Sequence, residues 1–207
     1  MSKKISEKEI NDRKEKLKEI RDEVINFTVS DLCKERIKNK TFPVLGEGSH
    51  FADVVFIGEA PGKNESMTGR PFVGASGKVL DELLLSAGIP REDVYITNIV
   101  KDRPPQNRDP LPEEIEMYAP FLDRQIEIIQ PKVIATLGRF AMMYIMKRYG
   151  LESKLDLISN IHGKIFEAKT PYGKVKMVPL YHPAVAVYNN KTKDSLKEDF
   201  QTLKQFI

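Results

Sequence analysis

Hydrophobic positions in this chain fall into two rhythms. Short apolar runs rich in β-branched residues occur at 53–57, 94–97, 132–137 and 174–180, the pattern of strands buried on both faces of a parallel sheet. Between them the apolar residues recur at helical spacing. Val79, Leu80, Leu83, Leu84 and Ala87 predict a helix from Ser76. A second opens at Pro112 with Glu113 and Glu114 and runs to about Gln130, proline and acids being favoured in a first turn. A third follows Gly138 through Met142 and Ile145 to about Arg148, and a last amphipathic helix spans 192–206 with Leu196, Phe200 and Leu203 inward. The N-terminal stretch at about 5–27 predicts one long charged helix, with Ser6 and Glu9 at capping-box spacing. Residues 28–52 read as irregular or as including a short helix, and 151–162 as loop or short helix. The runs flanking Pro171-Tyr172-Gly173 read as a hairpin. Strand and helix alternate without an internal repeat. The expected fold is α/β: one three-layer α/β/α domain over 1–207 with a central, mostly parallel four-stranded sheet.

The longest interruption, 58–74, reads as a loop carrying four glycines, Glu59, Glu65, Arg70 and Phe72, leaving the carboxyl end of a buried strand. Open α/β sheets bind ligands there, and a loop of that length is usually functional. Asn98 ends the second strand and leads into a proline-stiffened basic loop, 101–110, while His182 ends the fourth. Three polar groups thus converge on one edge. Composition changes the picture little: 207 residues, 41% hydrophobic and 30% charged, suit one globular core. A net charge of +3 permits a local basic face without naming a partner. Cys33 is the only cysteine, which excludes an internal disulfide and any site built mainly from thiolates. With no long apolar run and a charged N-terminus, the expectation is a cytoplasmic monomer with no membrane contact and no metal.

Phe72, Asn98 and His182 together fit a planar polar ring. An aromatic face stacks on a base, and an amide matches an edge bearing N–H beside C=O. A histidine steadies charge developing on a ring oxygen. Uracil has that arrangement; cytosine replaces the carbonyl acceptor with an amino donor. Glu59 and Glu65 are candidates to orient water or support a cationic transition state, and Lys101, Arg103 and Arg108 suit phosphates. Each has a plainer reading. A glycine-rich loop suits nucleotide phosphates in general, Phe72 suits the core, Asn98 a turn, His182 a satisfied structural role, and the basic loop solvated surface.

The stretches GEAPG at 58–62, GRPFVG at 69–74, TNIVK at 97–101, RPPQNRDPLPEE at 103–114, LG at 137–138 and HPA at 182–184 follow one another in order. With them the chain resembles a uracil-DNA glycosylase of the thermostable, iron–sulfur group, family 4. The resemblance implies hydrolysis of the N-glycosidic bond of uracil in DNA, the nucleotide flipped into a pocket. It implies that Phe72 stacks on the base, Asn98 reads its edge and His182 stabilises the departing anion through O2. Glu59 and Asn107 would lie near water and sugar, Ala60 and Glu65 would bind substrate, and Glu65 would exclude the thymine methyl. Tyr188, with Lys191 nearby, would probe the duplex. The family's cluster uses four cysteines, and the matching positions here are Phe27, Ser30, Asp102 and Tyr118. No cluster and no other cofactor is therefore expected. Residues 75–78 show no histidine-bearing basic insert, so covalent capture of DNA is not expected. The rival readings are a non-catalytic module binding uracil-containing or single-stranded DNA, and a nucleotide-phosphate enzyme.

Overall fold

The computed structural model describes residues 6–187 and 190–207, residues 190 and 191 through their backbone only. The strands are β1 (Glu47–Gly48), β2 (Val54–Gly58), β3 (Tyr95–Asn98), β4 (Val133–Leu137), β5 (Phe166–Thr170) and β6 (Gly173–Leu180), in the order β1-β3-β2-β4-β6-β5. The inner four are parallel, and β1 and β5 pair antiparallel at the two edges. The expected four-stranded sheet is thus six-stranded. β5 is the predicted hairpin arm. β1 is two residues long, too short for any alternation to mark it, and exists because Gly48 lets the backbone reach Val94: a Cβ there would lie 1.8 Å from the Val94 carbonyl oxygen.

The helices are α1 (Glu7–Ile25), α2 (Asp31–Asn39), α3 (Lys63–Thr68), α4 (Ala75–Ala87), α5 (Pro112–Ile129), α6 (Arg139–Arg148), α7 (Ile158–Ile161) and α8 (Asn190–Leu203). The 58–74 segment is therefore not all loop, since it contains α3, closed by Gly69 at φ 72°. Of the two readings of 28–52, the short helix is the one observed: it is α2, whose N-cap Ser30 accepts from the Leu32 amide.

Alternate strand residues feed two cores, which is why the strands read as continuous apolar runs. Val54, Phe56, Ile96, Ala135 and Val178 pack with Leu80 and Leu83 of α4 and with Leu196 and Phe200 of α8. Val55, Ile57 and Ile134 pack with Ile20 of α1, Leu122 and Ile126 of α5 and Ile145 of α6. Burying one such side chain contributes about 1.5–3 kcal/mol. Strands β2 and β4 are neighbours, yet α4, following β2, lies on one face and α6, following β4, on the other. The chain parts at their carboxyl ends, the place where a doubly wound sheet opens a crevice.

Candidate active site

A cavity of about 500 Å³ occupies that crevice, lined by Glu59, Ala60, Glu65, Phe72, Asn98, Asn107 and His182 together with Lys63, Asn64, Ser76, Arg108 and Asp109. Its floor depends on a missing side chain. Gly58 pairs with Asn98 in the β2–β3 ladder, and a Cβ on it would lie 2.3 Å from Asn98 Oδ1 and 2.8 Å from Phe72 Cζ. Glycine thus lets the amide and the ring share one wall. Asn98 is buried, and its Oδ1 has no hydrogen-bond partner among the described residues.

Phe72 is held at φ 50°, a left-handed conformation that costs a phenylalanine on the order of 1–3 kcal/mol. Three contacts impose it. Glu65 Oε1 accepts from the Val73 and Gly74 amides at 2.9 and 2.8 Å, and Arg91 Nη2 donates to the Pro71 carbonyl at 2.8 Å. Gly77 leaves room for the Phe72 carbonyl, which would lie 1.9 Å from a Cβ there.

His182 caps the turn Pro183–Ala186, its Nδ1 accepting from the Ala184 amide at 3.1 Å. That bond requires a lone pair on Nδ1, so the neutral ring carries its proton on Nε2. Burial holds the imidazole down to about 4, with the Glu65 carboxylate opposing, so His182 is neutral at pH 7. Its ring lies 5.7 Å from that of Phe72. Glu59 is half-buried. Burial pushes its carboxyl up to about 7; Asp109 adds to the rise and Arg139, paired with Asp109 at 3.0 Å, opposes it.

The basic loop differs from the sequence expectation. Lys101 is fully buried, its Nζ donating to Thr97 Oγ1, the Asn98 carbonyl and Gln125 Oε1, so it does not meet DNA. Desolvation pulls its pKa down to about 7. Arg108 reaches the cavity, but Glu114 takes its guanidinium at 2.8 and 2.6 Å and also accepts from the Leu111 amide. Arg103 donates to Asn107 Oδ1 at 2.7 Å, orienting that amide. Tyr188 and the Lys191 side chain lie outside the described residues. Lys63, Asn64, Ser76 and Asp109 were not singled out by sequence, although the first three fall in or beside the glycine-rich stretch. A second cavity of similar volume lies between α1 and α5. Its walls interleave acids with bases, several already paired (Lys16 with Asp12, Arg124 with Glu23), and no aromatic ring among the described residues lines it.

Phe27, Ser30, Asp102 and Tyr118 do come together. Tyr118 Oη donates to Asp102 Oδ2 at 2.6 Å, and Phe27 packs edge-on against the Tyr118 ring at 5.3 Å. Arg36 Nε lies 3.4 Å from Asp102 Oδ1 and its other nitrogens donate to the carbonyls of Val24, Ile25 and Phe27. These side chains offer a phenol, a carboxylate and a hydroxyl but no thiolate, and the phenol and carboxylate are bonded to each other. They do not fit an iron–sulfur cluster.

Residues 45–204 match the family model of the uracil DNA glycosylase superfamily. A type-4 uracil-DNA glycosylase of Archaeoglobus fulgidus is 45% identical, the match covering 88% of this chain and 90% of that one. Its counterpart in Sulfurisphaera tokodaii is 43% identical over 91% and 84%, and that of Thermotoga maritima 40% over 86% and 94%. With a match of this extent over the strands and loops that build the pocket, the chain belongs to the type-4 uracil-DNA glycosylases of the uracil DNA glycosylase superfamily.

Proposed function

We propose that the protein excises uracil from DNA as a monofunctional glycosylase, the base flipped into the 500 Å³ cavity. The observation that carries this reading is Asn98 Oδ1, a buried acceptor without a donor among the described residues. The N3–H of uracil supplies that donor, and O4 accepts from the same amide. Cytosine presents a lone pair at N3, leaving two acceptors facing each other in a dry site. Phe72 stacks on the ring, and Glu65, fixed by two amides, forms the rigid wall beside the thymine methyl position.

Water adds hydroxide to C1′ as the glycosidic bond breaks, and its proton passes to solvent. Uracil leaves with the bond's electron pair as an anion delocalised onto O2 and is protonated later. His182 Nε2–H donates to that O2, and a neutral donor avoids forming a fixed ion pair before charge has developed. The Glu59 carboxylate, with Asn107, orients the water and supports positive charge on the sugar. The chain's own network at Phe27, Ser30, Asp102 and Tyr118 stands in place of a cluster, so we also propose that no iron is bound.

The test is a uracil-containing oligonucleotide incubated with the protein and then treated with alkali. Strand cleavage with the wild type, reduced about 100-fold or more by His182→Ala or Asn98→Ala with affinity for DNA kept, is expected. Binding without cleavage would favour a recognition module, and neither would favour a nucleotide enzyme. A brown preparation absorbing near 400 nm would overturn the cluster-free reading.

A further inference from the structure

We infer that Lys101 is a positioning residue that fixes Asn98 for base reading, an inference that rests on the uracil-pocket reading. Hydrogen-bond direction carries the argument. The Thr97 hydroxyl donates to the Leu45 carbonyl at 2.7 Å, so towards Lys101 it accepts. Gln125 Nε2 donates to the Leu45 carbonyl and to Tyr95 Oη at 2.9 and 3.2 Å, so Oε1 is the atom facing Lys101. The Asn98 carbonyl can only accept. Three acceptors at 2.9, 2.8 and 2.6 Å from one Nζ require three hydrogens, hence an ammonium. No carboxylate among the described residues pairs with it, since neighbouring Asp102 faces Arg36 and Tyr118.

A methionine would fill this space without burying a charge. What lysine adds is three directed donors, one of them on the backbone of the residue that meets the base. They act where strand pairing stops. β1 covers β3 only opposite Tyr95 and Ile96. On the other side the Ile99 and Val100 amides bond to the Gly58 and Glu59 carbonyls, both at 3.0 Å. The strap 98–101 is thus tied to the pocket loop on one edge and pinned by its own lysine on the other.

Lys101→Met, and the milder Thr97→Val, which removes one acceptor, are to be compared with wild type for single-turnover excision and for affinity for an uncleavable 2′-fluorodeoxyuridine duplex and its thymidine counterpart. Urea unfolding of each variant checks that it folds. Expected for Lys101→Met is a loss of about 10–100-fold in the excision rate, as for a small misplacement of a reacting group. Uracil-over-thymine preference in binding should fall, while the salt dependence of binding stays unchanged. Thr97→Val should show the same split, smaller. A folded Lys101→Met that excises and discriminates like wild type overturns the inference. A salt slope lowered by about one unit restores a phosphate contact and also overturns it. A wild type that neither excises nor discriminates overturns the pocket reading itself, and this inference with it.

Discussion

Three titratable or polar groups in the pocket are set apart by environment. His182 is held down to about 4 and Glu59 up to about 7, both mainly by burial, while Asn98 carries an acceptor and no charge. Burial disfavours the charged form of each, which lowers an imidazole and raises a carboxyl. With Glu59 in its proposed role as the carboxylate, excision should rise with pH through about 7, and loss of the Lys101 ammonium should bend the profile down above it. Glu59→Gln should lose that limb and on the order of 100-fold in rate, measured by single-turnover assays across pH 5–9. His182 should add no limb in that range, being already neutral. A profile flat from pH 5 upward would remove Glu59 from this role. The sequence placed Glu59, Asn98 and His182 at one edge because each ends or closely follows an apolar run that reads as a strand, and Phe72 with them because it lies on the segment leaving the first of those runs. It misplaced Lys101. A lysine beside Asp102 and Arg103 among prolines reads as solvated. The acceptors around it are Gln125, on a helix reached after the loop, and Thr97 and the Asn98 carbonyl, at the end of β3. No local period records that pairing.

At the scale of elements, the loop that carries Asn107 is held from both ends. Arg108 and Glu114 lock it to the first turn of α5, and Asp102 locks its start to α2 through Arg36 and to α5 through Tyr118. Asp102 is fully buried, and desolvation raises its carboxyl while Tyr118 and Arg36 oppose that rise. Removing one partner of a buried pair leaves the other charge uncompensated, a loss of about 3–5 kcal/mol. Arg36→Met should therefore destabilise the fold by roughly that amount in urea unfolding. The double variant Arg36→Met with Asp102→Asn should recover part of it. Equal stability of Arg36→Met and wild type would mean that α2 is not held by this pair. The helix order and the parallel strands were legible as alternating periods, whereas α2 was legible only as one of two readings of 28–52 and β1 was not legible. α2 has few apolar residues and buries an arginine, and β1 is held by backbone approach at a glycine. Both are consequences of tertiary contacts that binary patterning does not encode.

Over the whole molecule, 33 basic residues against 30 acidic leave little excess charge, and placement decides what DNA meets. Near the pocket, Lys101 is internal, Arg108 is held by Glu114 and Arg139 by Asp109. Lys63 is different: it is exposed on the cavity rim at the start of α3, and no ion pair holds it among the described residues. Each phosphate neutralised on duplex DNA contributes about 0.9 to the slope of log affinity against log salt. Lys63→Ala should accordingly flatten that slope by close to one unit and weaken binding to uracil-containing and uracil-free duplexes alike. Arg108→Ala should change the slope by less than about half a unit. Its larger effect should fall on the excision rate, through the loop that presents Asn107. Fluorescence anisotropy from about 50 to 300 mM salt measures both. A slope that falls with Arg108 and not with Lys63 would exchange their roles and place the DNA backbone against α5 rather than across the mouth of the glycine-rich segment.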